Sequence, residues 1–174
     1  MILVTVGTHN IGFDRLVRAV DELAGLLEEK VIIQRGASTY QPRYAEYFDF
    51  TSSQRMESLT SESRLLICQA GAGAILVALR AGRPMIVVPR LKRYGESIDD
   101  HQLQLAAVLD AERRAIVVHD VTAVTLREAV VRAEQLMVRP PKEGSLQLVD
   151  AIRKQLRAWD THRPRVAPLL GEDI

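Results

Sequence analysis

The sequence predicts an α/β fold, in which a parallel β-sheet carries helices on both faces. Short apolar runs without alternation, such as residues 2–6, are typical of strands that are buried on both sides. They alternate with segments whose apolar residues recur at helical spacing, such as residues 13–27. Glycine or polar residues end most of the apolar runs. This alternation along one chain is typical of a Rossmann-like domain.

The size and composition fit one soluble domain with a short tail. The chain has 174 residues, of which 47% are hydrophobic and 26% are charged, and its net charge is +1. A domain of this size buries about two thirds of the surface of its unfolded chain. The near-neutral charge argues against general nucleic-acid binding, which usually needs a clear basic excess. We therefore expect one domain at residues 1–160 and no nucleic-acid partner.

The cysteine count and the apolar runs bear on the compartment. A single cysteine excludes an internal disulfide framework, and no Cys/His cluster has zinc spacing, so a reducing cytosol fits and no metal is expected. The first residues lack the charged segment and long apolar core of a signal peptide. No run approaches the ~20 apolar residues that a membrane span needs. Work at a membrane is therefore expected at its surface or through a partner.

The first half of the chain contains three clear strands and two helices. In order, we predict a strand at 2–6, a helix at 13–27, a strand at 31–34, a helix at 54–63 and a strand at 65–68. Residues 44–50 fit a short aromatic strand, with a helical turn as the alternative.

The second half continues the alternation. We predict a helix at 74–81, a strand at 85–88, a helix at 102–109 with Asp99 or Asp100 as its cap, and a strand at 115–118. Thr125 and Glu128 have the spacing of a capping box for a helix that reaches about Met137, where Pro140 and Pro141 break it. Residues 146–159 form a last amphipathic pattern. The tail, 161–174, lacks periodicity and is expected to be loose or bound to a partner.

The polar loops all follow predicted strands. In a parallel sheet the carboxyl ends of the strands meet at one edge, and ligands bind in the crevice outside it. The loops are Gly7-Thr8, residues 34–38, residues 69–73 and residues 90–101. We therefore expect them to converge on one site.

Several of these loop residues have both a binding and a structural interpretation. Gly71-Ala72-Gly73 is neither a dinucleotide fingerprint nor a P-loop, so it is either a phosphate site at a helix start or a tight strand-to-helix turn. Residues 99–102 either bind sugar hydroxyls or cap a helix. Thr8 and His9 either hold a ligand or begin the first helix. Glu96 is either a base or an exposed, solvated carboxylate, and residue 68 is expected to be an inert core thiol.

Taken together, an ordered series of motifs over roughly residues 1–118 resembles the C-terminal domain of family 28 glycosyltransferases. The resemblance is to its stand-alone form, the cytosolic subunit of the eukaryotic dolichol-linked N-acetylglucosaminyltransferase and the matching subunit of bacterial exopolysaccharide transferases, with the bacterial branch most similar. The motifs are Thr5-Val6-Gly7-Thr8, Phe13-Asp14-Arg15-Leu16-Val17, Gln34 with Gly36, Ala70-Gly71-Ala72-Gly73, Gly82-Arg83-Pro84, Val88-Pro89-Arg90, Gly95-Glu96 and Asp100-His101-Gln102.

The resemblance implies the donor-binding half of a GT-B glycosyltransferase that inverts the anomeric centre without a metal or other cofactor. The implied donor is a UDP-sugar, with backbone N–H groups of the glycine turn at the diphosphate. The implied nucleotide- and sugar-binding residues are Gly7, Thr8, Gln34, Gly36, Gln69, Gly71, Ala72, Gly73, Arg90, Asp100, His101 and Gln102. Glu96 and His101 are the catalytic candidates, and no complete catalytic set is assigned, because a partner subunit can supply the general base.

The resemblance also implies a partner. A complete GT-B enzyme has two such domains, so the other half is expected to be a membrane-associated subunit that binds a polyprenyl-linked acceptor. The chain would then be cytoplasmic and peripheral to the inner face of the membrane. Related sequences read His, Ser/Thr and Glu where this chain has Gln69, Ala74 and Val77. These departures favour the alternative of a non-catalytic subunit that stabilises or regulates its partner.

Overall fold

The structure, a computed structural model, describes residues 1–136 and 146–161. Its strands are β1 (Ile2–Thr5), β2 (Val31–Gln34), β3 (Glu46–Phe48), β4 (Leu65–Gln69), β5 (Met85–Val88) and β6 (Ile116–Val117). Within the described ranges these strands form one six-stranded sheet in the order β3-β2-β1-β4-β5-β6, and every neighbouring pair is parallel. This is the strand order of a Rossmann fold.

Helices cover both faces of the sheet, as predicted. They are α1 (Asp14–Ala24), α2 (Ser53–Glu62), α3 (Ala72–Arg80), α4 (His101–Ala111), α5 (Ala123–Glu134) and α6 (Leu146–Thr161), and a 3-10 turn spans Lys92–Tyr94. Helices α1 and α5 pack on one face, for example through Leu16 and Leu126. Helices α2, α3, α4 and α6 contribute to the core of the other face. The predicted fold class is therefore confirmed.

The central strands are apolar on both sides because both sides are core. In β1, Val4 faces the core with α1 and α5, whereas Leu3 faces the core of the other helices. In β4, Ile67 and Leu66 divide in the same way. A strand with solvent on one face would alternate with polar residues, so the unbroken apolar runs are a consequence of the two helical layers. Residue 68 lies in this core, where burial raises the pKa of the Cys68 thiol to about 12.

Two helix starts differ from the predictions by more than one residue. Helix α5 is capped by Thr122 and not by Thr125: the Thr122 side chain accepts the Thr125 N–H at 3.1 Å, and the Thr125 hydroxyl accepts the Thr122 N–H at 3.0 Å. The predicted capping box with Glu128 was wrong because a hydroxyl can occupy the third helical position as well as a carboxylate. Helix α3 begins at Ala72, inside the glycine segment and two residues before the predicted start.

The remaining local predictions have mixed outcomes. Glu46–Phe48 is a strand, so the strand interpretation of residues 44–50 is confirmed. Asp100 is the cap residue of α4, but its carboxylate accepts the Lys92 N–H, and it is Asp99 that accepts the N–H of His101. The predictions for residues 137–145 and for the tail beyond residue 161 lie outside the described residues. Among the described helices, none combines the length and apolar character needed to cross a membrane.

The strand order places a crevice between β1 and β4. The chain leaves β1 towards β2 on one side of the sheet, and the strands from β4 onwards continue on the other. The loops after β1 and β4 therefore separate at the carboxyl edge, which is where ligands bind in open α/β sheets. This edge positions the candidate site.

Candidate functional site

A cleft of about 480 Å³ opens at the carboxyl edge between β1 and β4. The loop after β1 contributes Gly7, Thr8 and His9 to its wall, and the segment after β4 contributes Gly71 to Gly73. Helix α1 begins only at Asp14, so Thr8 and His9 do not start a helix. The structure therefore brings together loops that are more than sixty residues apart in the sequence.

The floor of the cleft is the N-terminus of α3. Gly71 is its cap residue, and the first intrahelical bond runs from the Ile75 N–H to the Gly71 carbonyl at 3.1 Å. The three preceding N–H groups, including that of Gly73, have no partner within the helix. A Cβ atom at Gly73 would meet no atom of the described residues within 4 Å, so the space above this helix end is open. Open N–H groups and the positive end of the helix dipole make this floor suited to an anion.

Two glycines make room for the side chain of Gln69. Gly7 has φ +78°, and a Cβ atom on it would overlap the Gln69 amide nitrogen. A Cβ atom on Gly71 would lie 2.9 Å from the same nitrogen. The carboxamide therefore lies between the loops after β1 and β4, and any larger residue at either glycine would displace it.

Arg90 is the buried centre of the site. Its side chain is 2% exposed. Its guanidinium donates to the Val6 carbonyl at 2.9 Å, to three further backbone carbonyls at 2.9–3.0 Å, and to Oε1 of Gln69. It also lies 4.7 Å from the centre of the Phe13 ring. Burial lowers the pKa of Arg90 to about 10, and nearby Glu96 partly offsets this, so the group is charged at neutral pH. Arg90 was predicted to bind the nucleotide, but in this structure its guanidinium N–H groups donate to oxygens of the protein.

Glu96 is buried and paired, whereas one of the two predictions for it was an exposed, solvated carboxylate. Its two oxygens accept from Nε and Nη2 of Arg15, both at 2.8 Å. One of them also accepts the Leu91 N–H at 3.0 Å. The side chain is 6% exposed, although the residue contributes to the cleft wall. This geometry indicates that Glu96 holds the loop after β5. Both of its oxygens already accept hydrogen bonds, so neither is free to act as a base.

Gln34 supports the turn at Gly7. Its Oε1 accepts the Thr5 hydroxyl at 2.6 Å and the Gly7 N–H at 3.2 Å, while its Nε2 donates to the Gly7 carbonyl at 3.0 Å. Gly36 does not line the cleft. It has φ +56°, and a Cβ atom there would lie 2.8 Å from the Gly7 carbonyl. Both residues therefore support the loop after β1 from the side away from the cleft. Of the two, Gln34 alone also lines the cleft.

His9 is a neutral member of the wall. Its Nδ1 accepts the Ile11 N–H at 3.1 Å. Burial, and then the charge of Arg90, lower the pKa of His9 below its usual range. A neutral imidazole with an acceptor at Nδ1 carries its proton on Nε2, so His9 can donate one hydrogen bond to a ligand.

The predicted series Asp100-His101-Gln102 divides between two places. Gln102 lines the cleft, and its Oε1 accepts the Arg90 backbone N–H at 3.0 Å. His101 lies instead in a smaller pocket of about 240 Å³ between α4 and α6. Its Nε2 is 3.7 Å from the Asp99 carboxylate, and Asp100 does not line the cleft. The three residues therefore do not form one group in this structure.

The family model described as "Glycosyltransferase family 28 C-terminal domain" matches residues 1–155. This chain belongs to that family. The resemblance seen in the sequence motifs is thus confirmed.

Similar proteins include subunits of a sugar transferase. The chain is 32% identical over 122 residues to the human "UDP-N-acetylglucosamine transferase subunit ALG13" and 30% identical over 105 residues to the subunit of the same name from Yarrowia lipolytica. These matches cover 64% and 59% of the chain, which spans 10% and 50% of the lengths of these relatives. The crystal structure of CalG4, the calicheamicin glycosyltransferase, matches with a TM-score of 0.60 and 19% identity, over 96% of this chain and 44% of that one. The solved structures similar to this chain are GT-B glycosyltransferases, so this chain has the fold of one half of such an enzyme.

The three departures from the usual family 28 motif all lie in this cleft. Gln69, Ala74 and Val77 line it together with the glycine turn. Among the described lining residues the sole carboxylate is Glu96, whose oxygens are taken by Arg15 and by Leu91. The site of this family 28 domain is therefore poor in charge, with its positive character coming from the α3 N-terminus and buried Arg90.

The sequence did not indicate the far wall of the cleft. It comes from the segment between β3 and α2, from α2 itself and from α6, and its described members are Phe50, Thr51, Ser53, Met56, Thr60 and Leu156. The signal that could have indicated it is the aromatic Phe50 at the end of the predicted strand 44–50. In the structure Phe50 lies two residues after β3 and is 57% exposed. A partly apolar wall facing a polar floor suits a ligand with a flat ring at one end and an anion at the other.

In residues 1–136 and 146–161, no three His, Cys, Asp or Glu side chains come together in a way that could hold a metal ion. The prediction of a metal-free donor site remains a prediction.

Proposed function

We propose that this chain is the donor-binding subunit of a two-component inverting glycosyltransferase. It would move a sugar from a UDP-sugar to a polyprenyl-linked saccharide in glycan or polysaccharide assembly. The observation that carries the proposal is the open N-terminus of α3 over Gly73, in a cleft at the point where the strand order reverses. Membership of family 28 and the printed names of the two relatives support a UDP-sugar as the donor.

In this mechanism the protein stabilises the departing UDP. The N–H groups at the α3 N-terminus donate to the diphosphate, and the hydrogen bonds strengthen as negative charge develops on the leaving group. The partial positive charge at the helix N-terminus then stabilises the negative charge of the leaving group as a cation would, which is why we propose that no metal is needed. His9, in the loop after β1, and Gln102, in the first turn of α4, both line the cleft, and we propose that both contact the donor.

The acceptor and the general base are assigned to a partner. The chain covers less than half of CalG4, and the two relatives are named as subunits. We propose that a membrane-associated subunit supplies the second domain, binds the lipid-linked acceptor and holds this chain at the cytoplasmic face of the membrane. Glu96 has no free oxygen and His101 lies outside the cleft, so neither is proposed as the base.

Replacing Gly73 with tryptophan should abolish UDP binding while the domain stays folded. The indole would fill the open space above the α3 N-terminus, where no described atom lies within 4 Å. Hydrogen bonds to a charged ligand contribute about 1.5–3 kcal/mol each, so losing access to two of them lowers affinity by more than about 100-fold. Isothermal titration calorimetry with UDP, and with ADP as the comparison ligand, measures this change.

The control for this variant is Arg80→Trp. Arg80 is exposed at the other end of the same helix, so the control adds the same side chain away from the cleft. Equal UDP affinity of Gly73→Trp and the wild-type chain would rule out a diphosphate at the glycine turn. Absence of any UDP binding, also in complex with the partner, would sink the proposed function.

The second candidate is a non-catalytic subunit that has lost its donor site and stabilises or regulates its partner. The specific observation in its favour is the lining of the cleft by Ala74 and Val77, where related sequences carry a hydroxyl and a carboxylate. This candidate predicts no heat of UDP binding, whereas the first predicts saturable binding.

Replacing Val77 with glutamate should make the site prefer UDP over 2′-deoxy-UDP. By resemblance this position faces the ribose, and a carboxylate there would accept hydrogen bonds from its hydroxyl groups. We expect the ratio of the two affinities to rise about tenfold, since one hydrogen bond to a charged group is gained by UDP alone. Val77→Gln is the neutral control of similar size. An unchanged ratio in Val77→Glu would place the ribose elsewhere.

A further inference from the structure

We propose that Arg15 and Glu96 form a positioning pair, which holds the segment between β5 and α4 in the shape that binds the sugar of the donor. The proposal rests on the proposed function, because it concerns the sugar end of the same cleft. It is carried by the contacts of the two side chains, which join the first turn of α1 to a segment 81 positions further along the chain.

Arg15 holds this segment from outside the cleft. Besides its two hydrogen bonds to the Glu96 carboxylate, its guanidinium donates to the Pro89 carbonyl at 3.2 Å. It also donates to the His119 carbonyl, after β6, at 3.3 Å and lies 5.0 Å from the centre of the Tyr94 ring. Arg15 is not among the described residues that line the cleft. Any effect of Arg15 on a ligand there must therefore pass through the groups that it holds.

Glu96 folds the segment back on itself. A 3-10 turn leads to Gly95, whose φ of +69° turns the chain back towards its start. The Glu96 N–H then donates to the Leu91 carbonyl at 3.3 Å, and the Glu96 carboxylate accepts the Leu91 N–H at 3.0 Å. The Glu96 carbonyl accepts from the Arg90 guanidinium at 3.0 Å. Glu96 thus connects Arg15, outside the cleft, to Arg90 at its centre.

The same segment brings two polar side chains to the cleft. Ser97, directly after Glu96, and Gln102, in the first turn of α4, both line it. Gln102 also accepts the backbone N–H of Arg90 at 3.0 Å, so its position depends on a residue that Glu96 holds. By resemblance Gln102 contacts the donor sugar, whereas the diphosphate lies at the α3 N-terminus. A shift of this segment would therefore weaken binding of the sugar more than binding of UDP.

The test is Glu96→Gln, which keeps the size of the side chain but removes the charge that pairs with Arg15. The probes are UDP and whichever of UDP-glucose, UDP-galactose, UDP-glucuronate and UDP-N-acetylglucosamine binds the wild-type chain most tightly. The affinity for this sugar nucleotide should fall about tenfold relative to the affinity for UDP, since hydrogen bonds to the sugar are weakened. Calorimetry at a temperature well below the thermal midpoint of every variant measures both affinities.

A second variant, Arg15→Gln, shows whether the two residues act as one unit. It breaks the ion pair from the side that does not line the cleft, and it should cause the same relative loss. The double variant, which carries both changes, should lose no more than either single variant, because the two changes remove the same interaction. Asp21→Asn is the matched control, since it makes the same type of change at another buried carboxylate. It should lower the thermal midpoint and leave the relative affinity unchanged.

Several outcomes would overturn the positioning role. An unchanged relative affinity in Glu96→Gln, or an equal loss for UDP and the sugar nucleotide, would show that the pair does not act on the sugar. A loss in Glu96→Gln without one in Arg15→Gln would make Glu96 a direct ligand contact. Losses that multiply in the double variant, or that also occur in Asp21→Asn, would show that the pair is not the cause. In all of these cases the wild-type chain binds UDP, whereas a wild-type chain that does not bind UDP would overturn the proposed function itself.

Discussion

Replacing Arg90 with methionine should lower the free energy of unfolding by about 3–5 kcal/mol, even though methionine fills a similar volume. The guanidinium satisfies four backbone carbonyls, including those of Val6 and Gly12, and without it these oxygens lose their partner inside the protein. Glu96, which pairs with Arg15, would also lose the nearby charge of Arg90. Urea denaturation followed by circular dichroism measures the change.

The control for this variant is Arg93→Met in the loop after β5. Arg93 is exposed and contacts the ring of Tyr94, so its replacement should change stability by less than about 0.5 kcal/mol. A similar small change in Arg90→Met would show that water replaces the guanidinium at the four carbonyls. The expected large loss would instead identify Arg90 as the group that joins the loops after β1, β4 and β5.

The fold was largely predictable because burial on both faces leaves a direct mark on the sequence. Residues 2–6, 31–34, 65–68 and 85–88 are apolar apart from Thr5 and Gln34 and show no alternation, and all four segments contain central strands. The start of α5 was not predictable from spacing, because Thr125-Glu128 has the usual residues of a capping box, whereas the box that forms is Thr122-Thr125, with a hydroxyl in place of the carboxylate. Which of them forms depends on where the preceding chain leaves β6.

The position of the candidate site in the fold was predictable from the sequence, but the hydrogen bonds between its side chains were not. Parallel strands bring their carboxyl ends to one edge, so Gly7, Thr8 and the glycine turn could be placed together from sequence. The contacts of Arg90 and Glu96 could not, because their partners lie far away in the chain: Arg15 is 81 positions from Glu96. Position after a strand is a property of the sequence, whereas the direction of a side chain depends on the packed structure.

Replacing Asp21 with alanine should also lower the free energy of unfolding, by about 3 kcal/mol or more. Asp21 is fully buried in α1 and accepts hydrogen bonds from the N–H groups of Arg43, Tyr44 and Ala45 at 2.8–3.0 Å. It also accepts the hydroxyl of Tyr40 at 3.0 Å. The variant would leave these donors without the carboxylate that fastens the segment before β3 to α1. Glu22→Ala, which removes the exposed acid next to it, is the matched control.

The pH dependence of this loss distinguishes the carboxylate from simple packing. Burial raises the pKa of Asp21, but the hydrogen bonds from Arg43, Ala45, Tyr44 and Tyr40 outweigh it, so the pKa in the folded state lies below its ordinary value. A group with a depressed folded pKa stabilises the fold above its unfolded pKa, about 3.9 for aspartate, and this contribution is lost as the pH falls through the folded value. The difference between wild type and Asp21→Ala should therefore be largest above about pH 5 and shrink towards lower pH. Urea titrations at several pH values measure it, and a difference that does not depend on pH would show that Asp21 contributes through packing alone.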